Sequence, residues 1–187
     1  MKKIILSFAT VTLFFAGSIQ AQNSKKKTAT ETNVEPVKED KSKRPSPPAT
    51  ASVTTAKGTA ITINYSQPAV KGREIGKDIA PYGKVWRTGA NETTTLDITQ
   101  NVEINGQFLP AGKYGIHTIP GEKKWKLMIN KTWDSWGTDY DANNDIMSVD
   151  LVPQKSPEFV ERLTFKINKE GRTVMMWGNV VLDFMIY

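Results

Sequence analysis

From about residue 49 to the C-terminus, apolar and polar side chains alternate with a period of two, and no stretch keeps the 3.6-residue period of an amphipathic helix. Ile61, Ile63 and Tyr65 alternate with Thr62 and Asn64. Trp125, Leu127 and Ile129 alternate with Lys124, Lys126 and Met128, and Leu163, Phe165 and Ile167 with Thr164 and Lys166. Successive side chains of an extended strand point to opposite faces, so each run has one face to bury. The last eight residues follow the same rule, with Val180, Leu182, Phe184 and Ile186 on one side. Between the runs stand residues that tolerate positive φ or preset a bend: Lys57-Gly58, Asn105-Gly106, Pro110-Ala111-Gly112, Pro120-Gly121, Glu170-Gly171 and Gly178-Asn179. Nine or ten short strands punctuated in this way predict an all-β domain of two packed antiparallel sheets, a β-sandwich or jelly roll. One short helical turn is expected near Asp78 to Lys84.

The chain of 187 residues contains no cysteine, which removes disulfides, thiolate metal sites and a cysteine nucleophile, and leaves an apolar core as the source of stability. It also removes the residue that would carry a bacterial lipid anchor. The net charge of +6 is unevenly placed. Residues 22–48 carry seven basic and four acidic side chains, whereas residues 49–187 carry 16 and 15, so the domain is nearly neutral. A nucleic-acid partner is not expected, because no basic patch interleaved with aromatics falls in the domain.

The N-terminus has the layout of an export signal: Lys2 and Lys3, an apolar run from Ile4 to Phe15, then small residues ending at Ala21. The apolar run is shorter than the roughly 20 residues that cross a bilayer, so cleavage before Gln22 and no transmembrane anchor are expected. Residues 22–48 are rich in Lys, Glu, Thr, Ser and Pro, and read as a disordered tail. The expected organisation is thus a signal peptide at 1–21, a tail at 22–48 and a β-sandwich domain at 49–187, in the periplasm or secreted.

Four stretches carry a family likeness: SPPATASVTTAKGTAITINYSQPAVKGREI at 46–75, YGKVWRTGANETTTL at 82–96, LPAGKYGIHTIPG at 109–121 and SWGTDYD at 135–141. In these the chain resembles a family of secreted bacterial proteins, common in Bacteroidota and known as a domain of unknown function. The likeness covers nearly the whole domain and implies export and a single β-rich domain, without implying an activity.

Candidate site residues cluster in VWRTGANET at 85–93. Arg87 has the planar fork that holds a carboxylate or phosphate, Trp86 offers an apolar platform, and Asn91 and Glu92 are polar groups suited to a sugar. The competing reading makes Trp86 core and pairs Arg87 with Glu92 to seal a sheet end. His117 is the sole histidine and sits on a strand, either as a half-buried structural residue or as a base. Trp133 and Trp136 fall in loop sequence and are candidates for a surface or cleft. The run 139–150 places Asp139, Asp141, Asn143, Asp145 and Asp150 at spacings that echo a calcium loop, although Asn144 stands at the turn glycine and Asp150 at the bidentate glutamate.

Three functions stay open on these residues. The first is non-catalytic binding of a glycan, a small anionic ligand or an envelope partner through Trp86, Arg87, Asn91, Glu92, His117 and Trp136, with no cofactor unless calcium. The second is a hydrolase in which His117 works with Glu92 or Asp139. The third is a purely structural envelope protein.

Overall fold

The computed structural model describes residues 39–187, so the expected signal peptide and most of the expected tail lie outside the described residues. The fold is an antiparallel all-β sandwich. One layer is a six-stranded sheet built from β1 (Pro48–Thr54), β2 (Ala60–Ser66), β3 (Thr94–Ile98), β6 (Gly112–Ile119), β7 (Trp125–Asn130) and β8 (Asp145–Leu151), in that spatial order. The facing layer pairs two long strands, β9 (Gln154–Ile167) and β10 (Arg172–Met185). A short hairpin of β4 (Val102–Ile104) and β5 (Gln107–Leu109) joins this layer through an Ile104–Ile186 bridge and hydrogen bonds between Glu103 and Tyr187. On the other flank, Val70 N–H donates to the Glu161 carbonyl at 2.9 Å.

The alternation read from the sequence is the alternation of burial. Ile61, Ile63, Leu96, Ile98, Ile116, Leu127 and Ile129 from the six-stranded sheet meet Leu163, Phe165, Met175, Leu182, Phe184 and Ile186 from the facing layer. At the centre Trp86 stacks on Trp177, with ring centroids 4.9 Å apart and planes 8° from parallel, and meets Trp125 edge to face at 6.1 Å. These three indoles fill the gap between layers about 10 Å apart, which a β-branched side chain alone does not span.

Asn105 and Gly106 make the two-residue turn between β4 and β5, both with positive φ, as an Asn-Gly dipeptide requires for a primed hairpin turn. Gly178-Asn179 behaves differently from its expected turn. It lies inside β10, where the register against β9 shifts on both sides of Gly178, and a φ of 55° lets the strand bulge and continue. One 14-residue strand therefore replaces two short ones. No helix forms at 78–84, where the chain instead makes tight turns closed by Asp78 N–H to Glu74 carbonyl and Gly76 N–H to Ile79 carbonyl bonds. The described helical turns are 3-10 segments at Lys41–Lys43 and Ala142–Asn144.

Residues 39–48, the described part of the expected tail, belong to the same compact unit as the β-sandwich. Composition assigns residues 39–48 to the tail because they bury little apolar surface. They are held instead by charge: Arg44 makes two bonds to the Glu92 carboxylate at 2.8 and 2.9 Å, and Asn91 donates to the Ser46 carbonyl at 3.0 Å.

Candidate functional site

Two loops meet above the outer face of the six-stranded sheet, the face turned away from the core. The first is the TGANE turn at 88–92, whose Thr88 and Asn91 have positive φ. Its shape is fixed by hydroxyls: Thr88 Oγ1 to Thr118 Oγ1 at 3.1 Å, and Thr94 Oγ1 to the Thr88 carbonyl at 3.0 Å. Gly89 is required where it stands, since a Cβ there would meet Thr94 Oγ1 at 2.6 Å. The second loop, 131–144, runs antiparallel to the first through Thr93 N–H to Ser135 carbonyl and Gly137 N–H to Asn91 carbonyl bonds at 3.1 and 3.0 Å. This rung divides the surface into two concavities.

The larger is a cleft of about 420 Å³. Asn64, Thr93 and Thr95 form its floor, and Thr95 Oγ1 is buried with no hydrogen-bond partner among the described residues. Its walls are Lys41 and Pro48 on the N-terminal side and Trp133, Asp134, Ser135 and Trp136 on the loop side. Lys113 lies 4.1 Å over the Trp133 ring, so the freer platform is Trp136, which is 49% exposed. Burial pushes the Glu92 carboxyl upward, but hydrogen bonds from Lys41, the backbone and Arg44 outweigh it and hold the group at about 2.

The smaller concavity, about 260 Å³, lies beyond the rung and is lined by Val85, Trp86, Arg87, Gly137, Thr138 and Tyr140. Arg87 does not pair with Glu92, which is taken by Arg44 and Lys41. Beneath it is His117, 1% exposed, with its ring 4.8 Å from that of Tyr140 and neither nitrogen within a good hydrogen bond.

The six residues expected to share one ligand site are thus distributed. Glu92 and Trp136 line the cleft, and Trp86 and Arg87 line the smaller pocket. Asn91 stands between them with its amide bonded to Ser46 and Ser66, and His117 is sealed below. His117 and Glu92 line no common cavity, and Asp139 is exposed on the loop. Sequence reasoning missed Asn64, Thr95 and Lys113, which reach the site only because strand pairing sets Asn64 beside Thr95. Their signal was present as the polar half of the alternation, which ordinarily marks a solvated face.

The expected calcium loop is not assembled. Strand β8 starts at Asp145 and runs extended to Leu151, carrying Asp150 roughly 17 Å along the strand, where it pairs with Lys124 at 3.1 Å. Asp141 caps the 3-10 turn through Asn143 N–H at 2.9 Å, and Asp145 accepts from Asn130 and from the Tyr140 hydroxyl. Among the described residues no group of three or more His, Asp or Glu side chains is placed to hold a metal ion.

A family model described as Protein of unknown function (DUF2911) matches residues 46–186. The chain belongs to this family. No curated protein and no solved structure matches it. The matched span of the DUF2911 domain starts two residues before β1 and covers the lining of both concavities except Lys41, which with Arg44 neutralises Glu92 from outside the span. Among the described residues no helix is long and apolar enough to cross a membrane.

The sealed histidine of this DUF2911 domain makes a pH prediction. Burial lowers its pKa from 6.5, against weaker opposing effects of the Gly137 backbone and Asp145. The unfolded chain then takes up a proton that the folded chain does not, so this contribution to stability is present above about pH 6.5 and is lost as pH falls below it. The melting temperature is expected to fall between pH 7 and pH 5, and His117→Leu is expected to flatten that fall while costing little at pH 7, since both ring nitrogens already lack partners. Parallel pH curves for the two proteins would contradict it.

Proposed function

We propose that this DUF2911 chain is an exported, non-catalytic binding protein whose cleft takes a glycan. The observation that carries the reading is an exposed indole, Trp136, beside a polar floor that contains the unpartnered buried hydroxyl of Thr95. A sugar ring presents an apolar face and a rim of hydroxyls; the first stacks on an indole and the second meets Asn64, Thr93, Thr95, Glu92 and Asp134.

Two features favour binding over hydrolysis. A glycosidase needs a carboxylic acid that is still protonated near neutral pH. Glu92, at about 2, is ionised there and held by two cations. The other expected acid–base partner, His117, is sealed beneath Tyr140 and lines neither concavity. Export rests on the N-terminal signal layout, and a periplasmic or extracellular address places the cleft among envelope polysaccharides.

The test is a glycan-array screen of the mature chain followed by calorimetry on any hit. Trp136→Ala is expected to weaken binding more than about tenfold, as truncation of an aromatic anchor does, and Trp133→Ala to weaken it less because Lys113 covers one ring face. Both exposed indoles leave the fold intact when truncated, so melting temperatures should stay close to that of the wild type. Binding that survives both substitutions would remove the cleft as the glycan site.

A further inference from the structure

The pocket on the far side of the Asn91–Gly137 rung has features the glycan cleft does not use. Arg87 is the one charged side chain in its lining, and no carboxylate among the described residues pairs with it. Its Nε is buried with no acceptor, so the N–H side of the guanidinium has lost water and gained nothing from the protein. The placement is fixed. Gly137 passes so close that a Cβ there would meet Arg87 Cδ at 2.4 Å and Arg87 Cβ at 2.9 Å, so glycine at 137 is what admits the arginine stem.

From these observations we infer that Arg87 is the anchor of a second ligand site, one that takes a small monocarboxylate with an apolar body. The guanidinium fork matches a carboxylate bidentately and meets the unfilled donor capacity of the pocket. The single charge argues for a monoanion over a phosphate dianion, because the other lining residues, Val85, Trp86, Gly137, Thr138 and Tyr140, carry no charge. Histidine supplies no second cation: His117 is buried behind Tyr140, whose hydroxyl is already given to Asp145. The apolar body follows from the Tyr140 ring and the exposed side chain of Val85, the apolar groups the pocket presents. A volume of about 260 Å³ falls just below the roughly 300 Å³ at which sites for drug-sized ligands begin, and suits a ligand no larger than a substituted benzoate.

The site is independent of the glycan cleft, since no residue lines both. The experiment is NMR titration of the full mature chain with benzoate, its neutral isostere benzamide, and inorganic phosphate, observing the arginine Nε–H and tryptophan indole N–H signals. Benzoate is expected to move the Arg87 and Trp86 signals saturably, with benzamide and phosphate at least tenfold weaker, as follows when a charge-assisted pair is removed or mismatched. Arg87→Lys keeps the charge without the fork and is expected to weaken benzoate about tenfold or more. Absence of a saturable benzoate shift overturns the proposal. So does equal binding of benzamide or phosphate, and so does unchanged benzoate affinity in Arg87→Lys. The comparison of benzoate with benzamide uses the unaltered protein and holds whether or not a variant folds.

Discussion

Trp177→Ala is expected to destabilise the protein by about 3–5 kcal/mol, the range for truncating a large buried aromatic side chain. The site leaves little room for recovery. Trp177 is 2% exposed and stacked on Trp86, and its Nε1–H donates to the Pro68 carbonyl at 3.0 Å. Truncation therefore opens a cavity, removes one face of the Trp86 stack and takes from the Pro68 carbonyl one of its two donors, the other being Leu163 N–H at 3.1 Å. Against a total of roughly 5–15 kcal/mol for a domain, this is a fifth of the stability or more. Urea unfolding measures the loss directly. Circular dichroism checks its cause, because the parallel indole pair should give a coupled signal that vanishes in Trp177→Ala. Trp177→Phe keeps an aromatic face against Trp86 and is expected to lose less. A Trp177→Ala protein within about 1 kcal/mol of the wild type would mean that the stack does not bind the two layers together.

This central stack explains which parts of the structure were legible in the sequence. Alternation reports only local geometry, and where one face of a sheet meets solvent it is enough: Ile61, Ile63 and Ile129 are buried as their period requires. It fails on the loop-covered half of the outer face. His117, Met128 and Asn130 sit on what alternation marks as the exposed side, yet all three are buried. Non-local placement of the 131–144 loop decides this, and no short-range pattern encodes it. The same limit applies to Arg87 and Glu92. At a spacing of five they look like partners, but the chain turns through two residues of positive φ between them and sends Glu92 to Arg44 and Lys41, more than forty residues upstream. The docking of residues 39–48 is illegible for a related reason: they are held by ion pairs and a bond to the Ser46 carbonyl rather than by apolar burial, and composition registers only the latter.

Gly115 carries the second large effect, because it is where the covering loop touches the sheet. A Cβ at this position would lie 2.4 Å from the Thr132 carbonyl oxygen and 3.0 Å from Thr93 Cγ2. The first of these is backbone, which has no rotamer by which to withdraw, so Gly115→Ala must lift the start of the loop. Overpacking of this kind costs about 1–3 kcal/mol, and the structural consequence is specific. Loop and sheet are joined at the Thr93–Ser135 and Gly137–Asn91 hydrogen bonds, which form the rung between the two concavities. Raising the loop strains both bonds, so hydrogen exchange at the Thr93 and Gly137 amides should quicken in Gly115→Ala while exchange in the β9–β10 hairpin changes only in proportion to global stability. Glycan and carboxylate binding should weaken together, although Gly115 lines neither site, because Trp136 and Gly137 are consecutive residues on the displaced segment. If exchange at Thr93 and Gly137 is unchanged, the loop is not held by close contact with the sheet, and the polar outer face is covered by side-chain interactions alone.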